Sequence, residues 1–162
     1  MTAEIEPMPA SLATLIGLPC SQIWHFGPKF DFGTVDESGY GEYSLWCAGP
    51  SWRLQMADEW IGSADDDDGL DRILLRFIGR CVTRCRVGPY GDLWIELDGD
   101  ASISVFVTEH FIDYNDPWIL YCPEEIISVV SEPPYLLVEA GSLRRESQQP
   151  GALWPRRPRQ KT

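Results

Sequence analysis

Apolar residues recur at two different spacings along this chain, and the clearest run lies between Leu70 and Val107. Leu70, Leu74, Phe77 and Ile78 stand at i, i+4, i+7 and i+8. That is one face of a helix, which Asp68 can cap and Gly79 can end at positive φ. From Arg80 the period drops to two. Cys81, Thr83, Cys85 and Val87 then fall on one side of a strand, with Val82, Arg84 and Arg86 on the other. Gly88-Pro89-Tyr90-Gly91 has the composition of a turn. Leu93, Ile95 and Leu97 alternate with Asp92, Trp94, Glu96 and Asp98, and Asp98-Gly99-Asp100 returns the chain into Ile103, Val105 and Val107.

Loop length fixes the register of this hairpin. A two-residue loop would pair Ile95 with Ser102 and mix the faces. A three-residue loop pairs Leu97 with Ala101, Ile95 with Ile103 and Leu93 with Val105, which keeps one apolar side. The polar side then carries Arg84 opposite Glu96, Arg86 opposite Trp94, and Phe106 one pair further on. Arg beside Trp on a sheet face suits a cation–π pair, and both residue types are favoured at interfaces.

The first half repeats the pattern. Met8, Leu12, Leu15 and Ile16 have the spacing of Leu70, Leu74, Phe77 and Ile78 at an offset of 62, and Gly17 matches Gly79. Phe30 and Phe32 answer Leu93 and Ile95. Tyr43, Leu45 and Cys47 answer Ile103, Val105 and Val107. Ser51-Trp52-Arg53-Leu54 answers Pro117-Trp118-Ile119-Leu120 at an offset of 66. The expected fold is therefore α+β: a duplicated helix plus a three- or four-stranded antiparallel meander, two halves sharing one core. The pseudo-repeats are residues 8–56 and 70–122 of a single domain, 1–140. Residues 58–69 read as an acidic link, 124–130 as helix or strand, 135–138 as an edge strand, and 141–162 as a flexible basic, Pro-rich tail.

At 162 residues and 44% apolar, the chain has enough material for one real core. Its start has two early Glu residues and no basic region, unlike a secretory signal, and no apolar run has membrane-spanning length. A cytoplasmic location is the expectation. Charge is uneven. Residues 1–139 hold 24 acidic and seven basic side chains, net −17, whereas 140–162 hold six basic and one acidic, net +5. Five of those seven bases lie within Arg72–Arg86. Such a surface repels nucleic acid and anionic lipid and attracts a basic partner.

Chemistry is sparse. Cys20, Cys47, Cys81, Cys85 and Cys122 show no CxxC spacing and read as structural thiols, without zinc. The Asp65–Asp68 run lacks the spaced ligands of a calcium loop. Glu109-His110 with Asp113 and Asp116 is too thin for a metal or acid–base group. No nucleophile elbow, phosphate loop or dinucleotide pattern is present. No cofactor is expected.

The Leu-Ile-Gly and Phe-Ile-Gly stops, the DLWIELDGDASISVF hairpin and the late Pro-Trp-x-Leu resemble those of small acidic β-rich bacterial proteins, similar to immunity proteins of toxin systems. The resemblance covers about residues 12–123. It implies a non-enzymatic binding protein that neutralises a basic, nuclease-like toxin domain, and it brings no binding residue with it. The partner-binding residues proposed from the sequence are Trp94, Arg86, Arg84, Glu96, Phe106, Asp65, Asp66, Asp67, Asp98 and Asp100. Two other readings stand beside this one. One is an enzyme or small-ligand binder with a pocket between the halves, using Glu96, Arg84, Trp94 or His110. The other is a structural subunit of a larger assembly.

Overall fold

A computed structural model describes residues 8–24, 28–49, 51–63, 67–108, 117–130 and 135–141. Those residues form two short helices and eleven strands, all antiparallel. The first half contributes α1 (Ala10–Thr14), β1 (Cys20–Trp24), β2 (Lys29–Val35), β3 (Gly41–Trp46), β4 (Trp52–Met56) and β5 (Glu59–Gly62). The second contributes α2 (Asp67–Phe77), β6 (Val82–Val87), β7 (Leu93–Leu97), β8 (Ala101–Val105), β9 (Ile119–Tyr121), β10 (Glu125–Val129) and β11 (Leu136–Ala140).

The expected α+β class is wrong. The chain is mostly β, in two sheets ordered β1-β2-β3-β9-β10-β11 and β5-β4-β8-β7-β6. Neither half is a self-contained helix plus meander, because the fourth strand of each leaves its own half. Strand β4 pairs with β8, setting Leu54 opposite Ile103, and β9 pairs with β3, setting Leu120 opposite Leu45. An isolated three-stranded meander leaves a free edge of unpaired backbone groups on its last strand. Exchange of the fourth strands satisfies both of those edges at once.

Within each meander the local reading holds. Leu97 faces Ala101, Ile95 faces Ile103 and Leu93 faces Val105 across the three-residue loop. Phe30 faces Leu45 and Phe32 faces Tyr43 in the matching register of the first half. The two Trp residues differ. Trp52 opens β4 half-buried, while Trp118 precedes β9, fully buried, with its Nε1 donating to the Gly91 carbonyl at 2.7 Å.

Strand β6 departs from strict alternation. The register slips between Val82 and Arg84, so Thr83 is extruded and Val82 turns inward beside Cys85 and Val87. A bulge of this kind re-aims the side chains before it by one position. Segment 58–69 is not merely a link: β5 pairs with β4. Residues 125–129 are a strand, in keeping with their β-branched content, and β11 forms the sheet edge. Helix α2 begins at Asp67, so Asp68 lies inside its first turn and is not its cap.

One apolar core fills the space between the sheets, with Phe30, Phe32, Leu45, Ile95, Ile103 and Trp118 all fully buried. Helix α2 packs against β1, β4 and β5, inserting Leu70, Ile73, Leu74 and Phe77. The Phe77 ring meets Phe30 edge-on at 5.5 Å. Helix α1 buries Leu12, the Leu15 that follows it is also fully buried, and Ser11 bonds to Glu125 of β10. The last apolar residue of each pattern, Ile16 and Ile78, is left about half exposed, at 50% and 46%. The basic tail from 142 onward lies outside the described residues.

Candidate functional site

The strongest cluster of interaction-prone side chains lies on the outer face of the five-stranded sheet. Its inner face takes Leu54, Ile103, Ile95 and Cys85 into the core, so the intervening residues face outward. Pairing across the strands lines up Arg53, Ser104, Trp94 and Arg86 in one row. Trp60, Gln55, Ser102, Glu96 and Arg84 form the next row.

Two Arg–aromatic stacks stand on this face. The Arg86 guanidinium lies 5.4 Å from the Trp94 ring centre, with Glu96 at 3.8 Å from its Nη2. Arg53 lies 5.1 Å from the Trp60 ring and 5.9 Å from that of Phe106. The structure thus brings together Trp94, Arg86, Arg84, Glu96 and Phe106. It adds Arg53 and Trp60, which the sequence reading missed. The signal was present in Trp52-Arg53-Leu54-Gln55, where Arg53 alternates with core residues.

The bases between 72 and 86 do not form one positive strip. Arg72 and Arg76 both pair with Glu59, at 3.0 and 3.1 Å. Arg80 donates from Nη1 to the carbonyls of Asp98 (3.1 Å) and Gly99 (3.2 Å), tying down the β7–β8 loop. Only Arg84 and Arg86 reach the outer face, where Arg53 joins them.

Of the proposed acidic residues, Asp98 and Asp100 are exposed in that loop; Asp58, not among those proposed, is exposed in the neighbouring β4–β5 turn. The two turns are joined by Ala57 N–H donating to the Asp100 carbonyl at 2.9 Å. Asp67 opens α2. Asp65 and Asp66 lie outside the described residues, as do Glu109, His110, Asp113 and Asp116.

A second polar group was not foreseen. On the outer face of the six-stranded sheet, Lys29 is 3% exposed and Asp31 fully buried, with Nζ and Oδ1 3.8 Å apart. Asp31 also accepts from Trp24 Nε1 (3.0 Å), Gln22 Nε2 (2.5 Å), Gly41 N–H (3.3 Å) and the Ser44 hydroxyl. Burial lowers the Lys29 pKa, and the Asp31 charge only partly offsets it. The alternation Lys29-Phe30-Asp31-Phe32, two charges interleaved with two core rings, was the available signal.

The space between the sheets is apolar. Glu96, Arg84 and Trp94 face away from it, so they do not line an inter-half pocket. All five cysteines are free, and four are buried. Burial pushes the Cys20, Cys85 and Cys122 thiols up to about 12, which keeps them protonated and unreactive. Among the described residues no group of His, Cys, Asp or Glu could hold a metal ion, and no helix is long and apolar enough to cross a membrane. No family model, curated protein or solved structure matches the chain.

Proposed function

We propose that this chain is a non-enzymatic binding protein for a basic protein partner, acting in the bacterial cytoplasm as an immunity protein that neutralises a nuclease-like toxin domain. The observation that carries the proposal is the open sheet face with Trp94 stacked by Arg86, set in a body of net charge −17. A negative field of that size speeds encounter with a basic protein, and exposed Asp58, Asp98 and Asp100 border the face. Trp and Arg are the residue types in which binding energy concentrates.

The test is capture of the partner from the native host, followed by association kinetics at rising salt. Association should slow much more than dissociation quickens, because salt screens charge over about 8 Å at physiological strength. Trp94→Ala should raise the dissociation rate about tenfold, the scale of a hot-spot residue. Asp98→Lys should mainly slow association. A small neutral ligand whose binding ignores salt would overturn the proposal.

A further inference from the structure

On the open face of the five-stranded sheet, a row of small side chains runs between two rows of large ones, so the register makes a shallow trough, and arginines gather there although the molecule as a whole is acidic. Strand β8 supplies the floor through the small, half-buried Ser102 and Ser104. Arg53 and Gln55 of β4 stand on one side, and Trp94 and Glu96 of β7 on the other. Neighbouring strands lie about 4.8 Å apart, so these walls are roughly 10 Å apart, the width of one extended chain.

The charges on this face are under-matched. Among the described residues, neither Arg53 nor Arg84 has a carboxylate within salt-bridge distance, and Arg86 meets Glu96 only at 3.8 Å. The Arg86 Nε is buried without a hydrogen-bond partner. Acids are not scarce: residues 1–139 hold 24 of them against seven bases. A guanidinium stacked on an aromatic ring still presents its N–H edge, the geometry that takes a carboxylate bidentately.

We infer that this trough receives an extended, carboxylate-bearing segment of the protein partner. The inference rests on the binding-protein reading above and adds the chemistry of the contact. The two charge requirements act at different ranges. The body's field steers a partner of net positive charge, while the local pairs that hold it join Arg53, Arg84 and Arg86 to the partner's own acidic side chains. A nucleic-acid strand would also offer anions and stacking bases, but the surrounding −17 body repels a phosphate backbone.

The experiment measures fluorescence anisotropy of a labelled Glu-Thr peptide, an alternating Glu-Thr segment between Lys-rich flanks that give it the partner's net positive charge, with the intact protein, beside the same flanks around a Gln-Thr segment and oligothymidylate. The Glu-Thr peptide should bind, and Arg53→Gln and Arg84→Gln should each weaken it roughly tenfold, the loss of one charge-assisted hydrogen-bonded pair. Glu37→Gln, in the exposed β2–β3 turn of the other sheet, should leave it unchanged. Failure of the Glu-Thr peptide to bind, undiminished binding to both Arg variants, or tighter binding of oligothymidylate would each overturn the inference. Failure of the inference is separable from failure of the function. Salt-sensitive capture of a basic partner with undiminished affinity in both Arg variants would remove the trough and keep the function. Glu-Thr binding by a protein that captures no basic partner would do the reverse.

Discussion

Pro19 and Cys81 face each other in an isolated antiparallel bridge, at the centre of a reciprocal set of hydrogen bonds. Gly17 N–H donates to the Val82 carbonyl at 2.7 Å, and Gly79 N–H to that of Cys20 at 2.8 Å. Cys20 N–H donates to Arg80 at 2.8 Å, and Val82 N–H to Leu18 at 3.0 Å. Each bond maps onto another when 62 is added to one residue number and subtracted from the other. The entries to β1 and β6 are thereby sewn together, joining the edges of the two sheets.

The glycines at these turns should differ in their tolerance of a side chain. Gly79 has φ +86, yet a Cβ there would meet nothing within 4 Å. Gly79→Ala should therefore cost only the left-handed strain, about 1–2 kcal/mol. At Gly99, with φ +71, the same atom would lie 1.8 Å from Arg80 Nη1 and displace the contact that holds the loop. Gly99→Ala should lower the denaturation midpoint clearly more than Gly79→Ala. Equal midpoints would show that Arg80 does not anchor the loop.

Phe77 couples the helix of one half to the sheet of the other through its edge contact with Phe30. Phe77→Ala should cost about 3–5 kcal/mol, the range for removing a buried ring. Equilibrium urea unfolding measures it. A loss of under ~1 kcal/mol would mean that α2 is not part of the cooperative core.

The buried Lys29–Asp31 pair should give stability a distinctive pH dependence. Lys29 titrates below its ordinary 10.5 in the folded chain, so the unfolded chain binds this proton more tightly. Stability from this group is therefore present in full above 10.5 and is lost as pH falls through the folded-state value. The thermal midpoint of the native protein, relative to Lys29→Met, should rise as pH is taken toward 10.5. A flat difference would place Lys29 in a solvated setting. Asp31→Ala, which removes the carboxylate that offsets this charge, should cost about 3–5 kcal/mol.

The thiols should be slow. With Cys20, Cys85 and Cys122 held near 12 and Cys47 pushed up further still, Ellman's reagent at mildly alkaline pH should first find the half-buried Cys81. All five should react once guanidinium unfolds the chain. Rapid native reaction at more than one site would contradict the buried positions.

Much of the local structure was legible because it depends on short separations. The α2 face follows from i, i+4 spacing, and the register of β7 against β8 follows from a three-residue loop that keeps Ile95 opposite Ile103. The Arg86–Trp94 and Arg84–Glu96 pairs came from the same bookkeeping of alternation. Alternation failed at Thr83, because a bulge leaves no mark in a period-two pattern.

What the sequence determined by itself is how neighbouring strands of one hairpin meet and, away from the bulge and the Lys29–Asp31 pair, which strand residues turn inward. What only the tertiary structure decided is which strand lies beside which across the molecule. An apolar face on β4 or β9 fits either sheet equally well. The choice falls to the free edges of β8 and β3, whose backbone groups need partners that no local pattern names. The same assembly set Glu59 against Arg72 and Arg76 and left Arg53 beside Trp60 with no carboxylate partner among the described residues, so the charge of the candidate site emerged only when the sheet was complete.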